Sequence, residues 1–132
     1  MTQLRIATRS SAQARTQAEN IGALIERISS GVSVEYVFVD TPGFQTKHSS
    51  ALNRSMNRGV TQALQDVDVI CLVIEAGRYG EQDRKVVALL PEDKPVILVL
   101  NKIDQLKDKA ALLPFVAKLA EIRNWAAVVP VS

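Results

Sequence analysis

Short runs of apolar residues alternate along this chain with stretches in which apolar residues recur every three or four positions. The runs fall at residues 4–7, 32–39, 69–74, 96–100 and 127–131. Compact apolar runs bounded by turn formers, rich in β-branched residues, predict strands. Residues 69–74 and 96–100 are almost wholly apolar, as strands covered on both faces should be. Between the runs the period lengthens. Ala14, Ala18, Ile21, Leu24, Ile25 and Ile28 fall on one helical face, with Ser10 or Ser11 as N-cap and Ser29-Ser30-Gly31 as the stop. Leu52, Met56, Val60 and Leu64 predict a second helix, in which Gly59 costs about 1 kcal/mol relative to alanine. Residues 82–90 predict a third helix, ended by Pro91, which has no N–H to continue the ladder. Residues 110–123 predict a fourth, with Leu112, Phe115, Val116, Leu119 and Ile122 turned to the core and Pro114 within the first turn. Pro130 marks the last strand as an edge.

Strict alternation of strand and helix predicts an α/β fold: a three-layer α/β/α sandwich around a five-stranded parallel sheet, joined by right-handed crossovers. The 132 residues are expected to form one domain, residues 1–132, without linker or repeat. Composition narrows the function classes. An apolar fraction of 47% fits a globular protein, and a formal charge of +2 is too balanced to imply nucleic-acid binding by itself. No apolar run approaches the roughly 20 residues needed to cross a bilayer. The start, Met1-Thr2-Gln3-Leu4-Arg5, lacks a signal-peptide core, so no membrane association and a cytoplasmic location are expected. The single cysteine, Cys71, excludes an internal disulfide and is read as a buried, inert thiol. His48, the one histidine, has no ligand set near it in sequence, and the basic group Lys47, His48, Arg54 and Arg58 reads as a solvated surface.

Two segments carry chemistry. Asp40-Thr41-Pro42-Gly43 follows the second strand directly, and Asn101-Lys102-Ile103-Asp104 follows the fourth. They are similar to the DxxG and NKxD elements of GTPases. On that likeness Asp104 accepts hydrogen bonds from the N1 and N2 groups of guanine, Asn101 meets the base edge and the Lys102 stem covers its face. Asp40 holds magnesium through a water, and the Gly43 amide, with no side chain in the way, reaches the terminal phosphate. The companion phosphate-cradling loop, G-x-x-x-x-G-K-[ST], does not occur in the sequence. Thr8-Arg9-Ser10-Ser11 lies where a first strand opens a first helix. Arg9, Ser10 and Ser11 there form either a substitute anion site or a plain serine N-cap beside a solvated arginine.

Beyond the motifs, residues 37–132 resemble the G domain of the Era family of bacterial GTPases. The residues that carry the likeness run from Phe38 to Thr46, from Ala51 to Arg58, from Val67 to Ile70 and from Val73 to Gly77. They continue through Asn101 to Asp104, Lys109 to Pro114 and Val129 to Ser132. The resemblance implies a P-loop-GTPase-related fold, and the family's RNA-binding KH domain has no counterpart in this sequence. Residues 1–40 instead resemble the opening β-α-β of hydroxymethylbilane synthase, through Leu4 to Ser11, an Arg-x-Ser turn at Arg9 and Ser11, and Gln13 to Glu19. With this unit in place of the antiparallel edge strand of the GTPases, the strand order becomes 2-1-3-4-5, the flavodoxin-like arrangement.

These resemblances lead to an engineered or recombined chimera rather than a natural gene: a hydroxymethylbilane-synthase-like segment joined to an Era-like one, non-catalytic, with no catalytic residue, no evolved activity and no required cofactor. The alternative is a weak guanine-nucleotide-binding protein derived from an Era-type GTPase, taking GTP or GDP with magnesium. Absence of the KH domain argues against a nucleic-acid partner, and no specific protein partner is evident. A third reading, a regulatory binding module, rests only on the charged region 47–58.

Overall fold

The computed structural model describes residues 2–9, 11–39 and 50–131. Asp40, Gly43, His48 and Ser10 lie outside them. Among the described residues five strands and four α-helices follow one another: β1 Thr2–Arg9, α1 Ala12–Ile28, β2 Val32–Val39, α2 Ser50–Gln65, β3 Val69–Glu75, α3 Glu81–Leu89, β4 Val96–Asn101, α4 Leu112–Ala120 and β5 Ala127–Pro130. All pairings are parallel, and the sheet order is β2-β1-β3-β4-β5, as the sequence predicts.

Side chains of a strand alternate between faces, so each strand feeds two cores. On one face Ala7, Ile70, Leu72, Ile74, Val96, Leu98 and Leu100 meet Val60 and Leu64 of α2, Val86 of α3 and Leu119 of α4. On the other, Ile6, Cys71, Val73 and Val99 meet Ala14 and Ala18 of α1. The chain therefore places three helices on one face and α1 alone on the opposite one, the arrangement right-handed crossovers impose when the strand order reverses between β2 and β3.

The approach of α1 to the sheet depends on small residues. Ala14, Ala18 and Gly22 form its buried stripe, and a Cβ at Gly22 would collide with the Tyr36 hydroxyl. Tyr36 donates to the Glu19 carbonyl at 3.3 Å, stacks on Phe38 with ring centroids 6.3 Å apart, and Phe38 in turn carries the Arg15 guanidinium 4.4 Å above its ring. Two of the α1 residues expected to face the core do not. Leu24 is 48% and Ile28 71% exposed, because the narrow stripe that touches the sheet is centred on the small residues instead. Gly31, at φ 80°, makes the left-handed turn that returns the chain to β2.

The fourth helix is shorter than its periodicity suggests. A 3-10 turn, Lys109–Ala111, precedes α4, capped by Asp108, whose carboxylate accepts from the Ala110 amide at 3.0 Å. The helix stops at Ala120, leaving Ile122 beyond it and 45% exposed. Trp125 closes this end by donating its indole N–H to the Leu119 carbonyl at 3.0 Å. Arg123 donates to the carbonyls of Leu90, Pro91 and Lys94, tying the chain after α4 to the α3–β4 connection.

Cys71 behaves as its strand context predicts. Burial pushes its thiol from the ordinary value of 9.0 up to about 12. Below pH 9 the group is neutral in folded and unfolded chains alike. Between about 9 and about 12 the unfolded thiol ionises while the folded one keeps its proton, so stability falls as pH rises through that window. The native protein is accordingly expected to leave an aromatic disulfide reagent unreacted at pH 8, and to react with one equivalent once unfolded in guanidinium. Rapid labelling of the native state would remove the assignment.

Candidate functional site

β1 and β3 are neighbours over a short length only. Their ladder pairs Ile6 with Val69 and Ala7 with Ile70, and the Asp68 amide reaches the Arg5 carbonyl at 2.9 Å just before it. Past Ala7 the two strands part. This is the switch point of the sheet, where the chain leaves β1 toward one edge and β3 toward the other, and crevices form outside the strand ends there. A cleft of about 450 Å³ opens at that place. Arg9 and Ser11 line it from β1 and the α1 N-terminus, Glu75 and Arg78 from the end of β3, Asp83 from α3, and Asn101 from the end of β4.

Each wall has a local cause. Ser11 caps α1: its hydroxyl accepts from the Ala14 amide at 3.3 Å. The N-cap reading of this turn is thus realised, while Arg9 still reaches the cleft. Asn101, only 6% exposed, ends β4 on the α1 side of the sheet. Its carbonyl accepts from the Ala76 amide at 2.9 Å, and its side-chain Oδ1 accepts from Gln17 Nε2 at 3.2 Å. Lys102 follows in the left-handed region at φ 62°, the one non-glycine residue with positive φ among those described. That conformation is unfavourable for a residue with a Cβ and persists where surroundings enforce it. Here the enforcement is visible: the Val131 amide donates to the Leu100 carbonyl at 2.8 Å, and the Ile103 amide donates to the Val131 carbonyl at 3.1 Å. The loop is pinned between β4 and the exit of β5.

Asp104 stands in the 3-10 turn Ile103–Gln105 with its side chain exposed and makes no hydrogen bond or ion pair to another described residue. Glu75 is shared by two cations, with Lys102 Nζ at 3.8 Å from one carboxylate oxygen and Arg78 Nη1 at 3.3 Å from the other. Such partly exposed pairs contribute little to stability. Their consequence is chemical: a carboxylate already holds the two cations, so an anionic ligand approaching them competes with Glu75.

The structure thus brings Arg9, Ser11 and Asn101 to one cleft and connects Lys102 to it through Glu75. Asp40, Gly43 and Ser10, and with them the expected magnesium and phosphate contacts, lie outside the described residues. Among the described residues no group of three His, Cys, Asp or Glu side chains is arranged to hold a metal, and no helix is long and apolar enough to cross a membrane. Gln17 and Glu75 were not singled out from the sequence. Glu75 could have been, since a carboxylate that ends an apolar strand lies at the crevice mouth. Gln17 could not, because its partner is 84 residues away.

A five-stranded parallel sheet with an Asn-Lys-x-Asp loop leaving β4 beside the switch-point cleft matches solved GTPase G domains in fold, although its strand order is the flavodoxin-like one. The chain belongs to a family within that class: a profile described as 50S ribosome-binding GTPase matches residues 2–102. Curated relatives include GTPase Era of Nitrosomonas eutropha, 55% identical over 108 residues, covering 82% of this chain and 36% of that protein. GTPase Era of Bordetella pertussis is 57% identical over 98 residues, covering 74% of this chain and 33% of that protein. The chain therefore spans about a third of the length of these relatives. Among solved structures, Aquifex aeolicus Era Y63A bound to GDP.AlF4- superposes with a TM-score of 0.59 at 26% identity, over 78% of this chain and 35% of that one. Era in complex with MgGDPNP and nucleotides of 16S ribosomal RNA shares the fold, with a TM-score of 0.58 at 22% identity, over 98% of this chain and 50% of that one.

These findings uphold the Era resemblance and overturn the chimera. The family match begins at residue 2, and the Nitrosomonas alignment is longer than residues 37–132 can supply, so the likeness enters the segment assigned to hydroxymethylbilane synthase. The physical reason for the error is that a strand, an Arg-x-Ser turn and an amphipathic helix suit the first β-α-β of many parallel sheets. With the chimera goes the inference of a fold without evolved activity, since the family is one of GTPases.

Proposed function

We propose that this chain binds a guanine nucleotide in the switch-point cleft, with the base at Asn101, Lys102 and Asp104 and the phosphates toward Arg9 and the start of α1. The observation that carries this reading is the placement of Asn101 at the cleft wall, in a family of GTPases, by a loop whose strained Lys102 is held at both ends. Strain retained in this way is a feature of ligand-binding loops. Asp104 presents an exposed carboxylate with no described partner, suited to a base edge carrying two donors.

The phosphate end is built differently from a Walker-type cradle. β1 passes into α1 through Ser10 and Ser11 alone, and Ser11 spends its hydroxyl on capping. Base recognition then supplies most of the affinity, and binding is weak because few contacts must offset the entropy of association. Asp40 and Gly43, by their motif, are assigned to magnesium and the terminal phosphate. GTP hydrolysis and RNA contact belong to the full-length relatives, and this chain is proposed to share the nucleotide preference. Calorimetric titration of the whole chain with GDP and with ADP, with and without magnesium, tests the reading. A measurable preference for GDP is expected, and equal or absent heats for the two nucleotides would overturn it.

A further inference from the structure

The Asn101 carboxamide has two chemically opposite ends, and which end faces a ligand decides what it can recognise. Oδ1 accepts hydrogen bonds, and Nδ2 donates two. Gln17 Nε2 lies 3.2 Å from Oδ1, reaching across from α1, and both side chains are at least half-buried. Oδ1 is thereby engaged on the helix side, while no described residue bonds Nδ2. Guanine presents N7 and O6, two acceptors, along one edge; adenine presents the N7 acceptor beside an N6 donor. A carboxamide held with Nδ2 outward matches the first and meets the second with donor against donor.

We infer that Gln17 is a positioning and specificity-determining residue: by donating to Asn101 Oδ1 it holds the Asn101 amide nitrogen toward the base and selects guanine over adenine. The assignment rests on the proposed binding of a guanine nucleotide, yet its structural half stands without any ligand. Gln17 acts only through Asn101.

Two variants of the whole chain test it. Gln17→Leu keeps the bulk and removes the donor. Gln17→Glu keeps the shape and replaces the donor by an acceptor, which draws Nδ2 inward and turns Oδ1 to the cleft. In the ligand-free protein, nitrogen-15 relaxation of the Asn101 side-chain amide is expected to show a rigid group in the parent and a mobile one in Gln17→Leu. For nucleotides, Gln17→Leu is expected to weaken GDP binding about five- to tenfold with less than about a twofold change for ADP. Gln17→Glu narrows the GDP-to-ADP ratio further. A residue of merely structural importance would move the melting temperature and leave that ratio alone. An Asn101 amide as rigid in Gln17→Leu as in the parent, with an unchanged ratio, overturns the inference. A parent protein that shows no preference for GDP instead overturns the functional reading, and with it the selectivity, while the relaxation result still decides whether Gln17 holds Asn101.

Discussion

Replacing Asp104 with alanine is expected to weaken GDP binding about 100-fold, from the loss of two hydrogen bonds to a charged acceptor at roughly 1.5 kcal/mol each. The side chain is exposed and has no described partner, so its removal leaves no buried group unsatisfied. Stability should therefore hardly move, within about 0.5 kcal/mol. Separation of the two effects is the informative part. A core residue would lose affinity and stability together, whereas Asp104 is expected to lose affinity alone. The parent protein supplies an internal control, because inosine diphosphate lacks the N2 amino group and should already forgo one of the two bonds. Calorimetric titration and thermal melting of parent and variant check both halves. Retention of GDP affinity in the alanine variant would detach the Asn-Lys-Ile-Asp loop from base recognition.

Leu98→Ala should produce the largest loss of stability of any conservative truncation in the sheet, about 3 kcal/mol. Leu98 is fully buried, and its strand is flanked by β3 and β5, with Leu98 opposite Leu72 and Val128. Its side chain belongs to the core shared by α2, α3 and α4. The cost combines lost burial with the void left behind, which close packing prevents from collapsing. For a domain of this size that corresponds to a fall in melting temperature of roughly 10 °C. Urea unfolding should show a lower midpoint at an unchanged slope, since the surface exposed on unfolding is nearly the same. A loss below about 1 kcal/mol would mean that this core is loosely filled.

The fold was legible because strand and helix periods differ and seldom compete in this chain. Residues 69–74 and 96–100 are too apolar and too short to be anything but central strands, and all five strands stand where their apolar runs predict. Errors arose where apolar spacing continues past the contact. Leu24 and Ile28 keep the helical period yet face outward, because Ala14, Ala18 and Gly22 set how closely α1 lies on the sheet. Ile122 keeps it after α4 has already ended. At the site, local motifs were readable and long-range partners were not. Asn101, Lys102 and Asp104 announce themselves within four consecutive residues, whereas the Gln17 contact exists only once α1 has docked. The first forty residues were misassigned for a related reason: a β-α-β opening carries little information about ancestry, and only alignment along the chain resolved it.

The brevity of the β1–β3 ladder has a mechanical consequence. β1 is paired with β2 along its whole length and β3 with β4 from Ile70 to Glu75, so within the sheet two rafts are joined by a narrow weld at Ile6–Val69 and Ala7–Ile70, next to the Arg5–Asp68 backbone bond. Flexing concentrates at a weld of that kind, and here it lies directly beneath the mouth between Arg9 and Asn101. A small rocking of one raft against the other would change the width of that mouth, within the limit set by α1, whose Ala14 and Ala18 pack on both.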